Sequence, residues 1–65
     1  MTLTWTQYNY SLEAEGLIRT YVIQEHHKGI YTIKCMIGGG RTVEIPGNYR
    51  SLKKAIKLCE MMEED

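Results

Sequence analysis

Sixty-five residues bound this chain to a single domain, residues 1–65, whose core supplies no more than about 3–5 kcal/mol. Eight basic and eight acidic side chains cancel to zero formal charge, which argues against a dedicated nucleic-acid binder. A content of 43% hydrophobic and 25% charged residues excludes a disordered chain.

Thr2-Leu3-Thr4-Trp5-Thr6-Gln7-Tyr8 alternates and is rich in strand formers, with Leu3 and Trp5 on one face and Thr4, Thr6 and Tyr8 on the other. Residues 9–16 read as a connection. Within it, Ser11-Leu12-Glu13-Ala14 either caps one helical turn ended by Gly16 or runs as a plain loop. Leu17 to Glu25 is a second strand, with Ile18 and Val22 on one face and Leu17, Tyr21 and Ile23 on the other. Apolar groups on both faces suggest a central or doubly covered strand. His26-His27-Lys28-Gly29 is a hairpin turn, Gly29 supplying positive φ.

Ile30 to Ile37 is the third strand, its apolar face made by Tyr31, Ile33, Cys35 and Ile37, with Thr32, Lys34 and Met36 opposite. Gly38-Gly39-Gly40 turns the chain into Arg41-Thr42-Val43-Glu44-Ile45, a fourth strand with Val43 and Ile45 inward, stopped by Pro46-Gly47. Ser51 then caps a helix. At roughly 100° per residue, Leu52, Ala55, Ile56, Leu58, Cys59 and Met62 form one stripe about 160° wide. The expected fold is α+β: a three- to four-stranded antiparallel sheet (β-β-β-β-α) with one C-terminal helix packed on one face. The other face is left to water or a partner.

The charges of this helix run against its dipole, with Lys53, Lys54 and Lys57 early and Glu60, Glu63, Glu64 and Asp65 late. Either this is a solvated face with a frayed acidic tail, or two antiparallel copies set lysine end against acidic end with Met61 in the seam. A core this small usually needs a staple. With one bridge at most from two cysteines and no metal-ligand spacing, a homodimer is the expected one.

No residue set names a reaction. His26 and His27 are adjacent and would point to opposite faces of a strand, so they do not converge on a metal. Cys35 and Cys59 lie on core faces, where free cysteine acts as a small hydrophobe. Gly38-Gly39-Gly40-Arg41 precedes a strand, whereas a phosphate loop opens a helix. Glu13, Glu15, Glu25 and Glu44 are dispersed and pair with no base. The expectation is a non-enzyme without cofactor or metal.

Two binding surfaces remain. Five tyrosines and four methionines are many for this length, and tyrosine is enriched at interfaces. Tyr8, Tyr10, Met36, Tyr49, Lys54, Lys57 and Met61 are therefore the candidate protein-binding residues. The alternative is a sheet that enters a DNA groove. Its candidates are Lys34 on the open face with Arg19, Lys28 and Arg41 flanking it.

Gly47-Asn48-Tyr49-Arg50-Ser51-Leu52-Lys53-Lys54-Ala55, running on through Glu60, resembles the ending of many small phage and prophage accessory proteins. These end in Gly-x-aromatic-x-Ser-Leu-x-x-Ala and a helix, carry a Trp near the start, and have a three- or four-stranded antiparallel sheet between. Trp5, Gly47, Tyr49, Ser51, Leu52 and Ala55 carry the match. The resemblance implies a protein that binds and disables a host system, such as a defence nuclease. Integrase arm-binding domains share a β-β-β-α layout and read DNA with the sheet, but this chain lacks their positive charge. The expected function is an occluding inhibitor whose partner is a host protein or complex. A small regulatory subunit of a host complex is a further alternative. Met1 leads straight into strand-like sequence, with no leader and no apolar run of membrane-spanning length. The expectation is a complete, soluble protein in the cytoplasm of a bacterial host cell.

Overall fold

A computed structural model describes residues 3–38 and 40–64. The strands are β1 (Trp5–Gln7), β2 (Ser11–Glu15), β3 (Arg19–His27), β4 (Ile30–Ile37) and β5 (Arg41–Tyr49), followed by α1 (Leu52–Glu64). They form one five-stranded sheet in the order β1-β2-β3-β4-β5, every neighbouring pair antiparallel. The α+β class and the C-terminal helix are as expected, and the strand count is corrected from three or four to five.

The added strand is Ser11–Glu15, which is neither a helical turn nor a loop. Its residues alternate with period two. Leu12 and Ala14 pair with Ile23 and Tyr21, while Glu13 pairs with Val22. A lone helical turn closes few hydrogen bonds for the residues it fixes. The same residues as a strand gain a ladder on both sides, to β1 and β3.

Four boundaries also move. β3 runs two residues past Glu25, through His27, so that only Lys28-Gly29 of the expected hairpin turn lies outside the strands. The first strand is shorter than the expected run from Thr2, which itself lies outside the described residues. β3 begins at Arg19, because Gly16-Leu17-Ile18 is needed to reverse the chain after β2. The Gly16 N–H closes that turn by donating to the Arg19 carbonyl at 2.7 Å. Pro46-Gly47 does not stop the last strand. The register passes from Ile33↔Ile45 to Tyr31↔Tyr49, so β5 bulges outward and resumes. Gly47 takes φ 108°, and a proline is tolerated because β5 is an edge. The two hairpin glycines, Gly29 and Gly40, have φ of 81° and 86°; Gly39 lies outside the described residues.

Paired residues share a face, so the register divides the sheet. Tyr21, Ile23, Ile33 and Cys35 lie on the side that α1 covers and are buried against Ala55 and Cys59. Trp5, Tyr31, Ile45, Tyr49, Leu52 and Met62 border them. α1 packs on β3, β4 and β5. Val43 shares this face through its pairing with Cys35 yet remains exposed, a correction to its inward assignment. It sits on the edge strand, where the helix does not roof it.

The open face carries the row Thr6, Glu13, Val22, Lys34, Glu44, read across all five strands. Val22, at its centre between Glu13 and Lys34, is buried on the face that α1 does not cover. No helix among the described residues is long and apolar enough to cross a membrane.

Candidate protein-binding surface

The loop Gly16-Leu17-Ile18, between β2 and β3, is held by α1. Glu63, in the last turn, accepts the Leu17 N–H at Oε2 and the Tyr21 hydroxyl at Oε1, each at 2.9 Å. Beside it, Arg19 Nη1 donates to the Met62 carbonyl at 3.1 Å. The Gly38 N–H adds a longer bond to the Ile18 carbonyl, 3.4 Å. Leu17 and Tyr21, by donating, hold the Glu63 carboxyl below its usual range, with Arg19 adding to the effect. Burial pushes the Tyr21 phenol up.

These contacts account for one of the late acids of the helix, Glu63. A carboxylate near a helix C-terminus is unfavourable alone. Here Glu63 serves the loop, and Arg19 supplies the cation that the terminal carbonyls favour. Arg19 therefore faces the helix, which corrects its expected place beside the open sheet face.

The loop so held presents Leu17 82% and Ile18 69% exposed. Beside them is Met36, paired with Thr20 and exposed on the open face. Leu17, Ile18, Met36 and Ile37 line one shallow groove between the β2–β3 and β4–β5 turns. Large exposed apolar patches are characteristic of interaction surfaces. A fixed loop also loses little conformational freedom on binding.

The expected protein-binding residues do not form one surface. Met36 belongs to the apolar tip. Tyr8 and Tyr10 are exposed in the β1–β2 turn. That turn abuts the far end of β3, where the Glu25 N–H donates to the Tyr10 carbonyl at 3.0 Å. Tyr49 packs at the margin of the core, its hydroxyl donating to the Pro46 carbonyl at 3.1 Å. Lys54, Lys57 and Met61 are exposed and share the outer side of α1 by their spacing.

The basic candidates are similarly dispersed. Lys34 lies on the open face, between Val22 and Glu44. Arg41 pairs with Ile37 and so lies on the helix side of the edge strand, another correction to its flanking position. Lys28 is exposed in the β3–β4 turn.

Sequence reasoning missed Leu17 and Ile18 because it placed them inside a strand. The signal was Glu15-Gly16: once Ser11–Glu15 is a strand, the glycine marks a turn that must include the next two residues. The role of Glu63 had no local signal, since its partners lie 46 and 42 residues away.

Other candidate chemistry is structural in form. Cys35 and Cys59 are free and buried, and burial, with Cys35 close by, pushes the Cys59 thiol up to about 12. His26 Nε2 and Thr32 Oγ1 share a hydrogen bond of 2.6 Å. The described residues contain no group of three or more His, Cys, Asp or Glu placed to hold a metal ion. No family model, curated protein or solved structure matches the chain.

Proposed function

We propose that this chain is a non-enzymatic protein-binding module of the phage accessory type, which inhibits a host protein by covering one of its surfaces. The observation that carries this reading is the Leu17–Ile18 tip. Its side chains are largely exposed while its backbone is held by Glu63 and Arg19. So exposed, the Leu17 and Ile18 side chains contribute little burial to the monomer, and on a fixed loop they suit insertion into an apolar recess of a partner. Met36 extends the contact onto the sheet. A regulatory subunit of a host complex would use the same surface and differ only in the origin of its partner.

Affinity capture from bacterial lysate, followed by assay of the captured protein's own activity, tests the proposal. Occlusion predicts loss of that activity at a one-to-one ratio of the two proteins. A captured protein that stays fully active overturns the inhibitor reading.

A homodimer through the outer side of α1 is the second reading, favoured by Met61, which is 54% exposed and neighbours Lys54 and Lys57 by helical spacing. Glu63 serves the loop in the monomer, so Glu60 is the acid left to pair with a lysine of the other copy in this reading. Light scattering at micromolar concentration is expected to give twice the chain mass, falling to the chain mass when Lys54 and Lys57 are changed to Glu. A monomer in both cases overturns the dimer.

The DNA reading has less support. Arg19 is engaged by the helix, and Lys34 sits in a row with Glu13 and Glu44.

A further inference from the structure

We infer that the cleft between the β1–β2 turn and the start of α1 binds a cationic side chain, an arginine or a methylated lysine presented by a partner. The cleft holds ≈ 250 Å³ and is lined by Tyr8, Tyr10, Tyr31 and Glu25, with Ile23 and Leu52 among its apolar residues. Aromatic faces attract a cation through the ring quadrupole. Glu25 is the one carboxylate in the lining, which contains no Lys, Arg or His. Its Oε2 accepts the N–H of Gly29, which is not in the lining, at 3.1 Å, and this helps to fix the carboxylate. The tyrosine-bearing turn is also fixed. The Tyr8 N–H donates to the Ser11 carbonyl at 2.8 Å, and the Tyr10 carbonyl accepts from the Glu25 N–H.

Size selects the occupant further. Pockets for drug-sized ligands hold about 300–1,000 Å³, so this cleft suits one side chain rather than a nucleotide. Lys53 and Lys54, in the nearby first turn of α1, are exposed and do not line it. The site is at the opposite end of β3 from the Leu17–Ile18 tip and stands whether or not that tip binds a partner.

The test is an NMR titration of the whole chain with tetramethylammonium and with acetyl-arginine amide, each to tens of millimolar. The neutral comparison is 3,3-dimethylbutan-1-ol, which keeps the shape without the charge. Expected are saturable shifts at Tyr8, Tyr10, Tyr31 and Glu25 with both cations, and clearly weaker binding of the alcohol. Tyr10→Ala, at an exposed position, is expected to weaken the cations about two- to fivefold. Glu25→Gln keeps an acceptor for Gly29 and is expected to weaken them again, with no effect on the alcohol. Equal binding of the alcohol, saturable shifts only elsewhere, or no saturable shift overturns the inference.

Discussion

Tyr21 and Glu63 lie 42 residues apart in sequence and are joined by a 2.9 Å hydrogen bond from the tyrosine hydroxyl to the carboxylate. Tyr21 is fully buried. The bond therefore ties the centre of the core to the end of the helix, and through Glu63 to the backbone of the exposed Leu17–Ile18 loop.

Gly16 makes this arrangement possible. A Cβ there would overlap the Glu63 carboxylate, and the two hydrogen bonds leave that side chain little room to withdraw. Gly16→Ala and Glu63→Ala are each expected to destabilise the fold. Because both act through one contact, the double variant should be no less stable than Glu63→Ala alone. Urea unfolding of the four proteins checks this; additive losses would separate Gly16 from the Glu63 contact.

The pH dependence follows from the same residues. The folded-state value of Glu63 is depressed below the ordinary 4.5. Its contribution is therefore complete above that pH and is lost as pH falls through the lower folded value. Tyr21 is raised above 10.0, so its contribution is complete below that pH and is lost as pH rises through the raised value. Unfolding midpoints measured against pH are expected to fall on both sides. Glu63→Ala should flatten the acid side, and an unchanged acid slope would contradict the assignment.

The buried thiols report on opening of the core. Cys59 is fully buried, with its pKa pushed up to about 12, so little reactive thiolate forms at neutral pH. A thiol-reactive aromatic disulfide is expected to leave both cysteines untouched in the folded protein and to label both in denaturant. The slow native rate should track the unfolding equilibrium. One rapidly labelled cysteine in the folded state would contradict the packing of α1 on the sheet.

How far the sequence discloses this molecule depends on the range of the interaction. Ile30–Ile37 shows its exact alternation and its glycine-bounded ends, and it is the strand found. The Ser51-capped helix is legible for the same reason: cap and apolar stripe are local. Its Lys54 N–H to Ser51 Oγ contact is a long 3.4 Å. Ser11–Glu15 was misread because five residues with a serine start fit both a turn and a strand, and only pairing with β1 and β3 decides. Pro46 looked like a stop because its tolerance depends on β5 being an edge, a property of the whole sheet.

The candidate surface was legible in part. Met36 was identified from its place opposite Cys35 and Ile37 on the strand, and it is exposed. Leu17 and Ile18 read as part of a central or doubly covered strand because they continue its apolar pattern on both faces, and their exposure follows from a turn that is visible only once β2 is recognised. The late carboxylate Glu63 looks anomalous in the sequence because its partners, the Leu17 N–H and the Tyr21 hydroxyl, belong to a distant segment.

The most direct test of the account is quantitative capture from bacterial lysate with the wild-type chain and with Leu17→Asp combined with Ile18→Asp. The substitutions fall on exposed side chains, but an aspartate at 17 adds a like charge near Glu63, which accepts the Leu17 N–H, so some loss of stability is expected. Circular dichroism and urea unfolding check that the fold persists. The wild type is expected to retain a defined host protein and the folded double variant to lose it. An apolar anchor contributes about 2 kcal/mol or more, roughly 30-fold in affinity. Equal retention by both proteins, or no specific capture by the folded wild type, would contradict the claim that this loop is the binding surface.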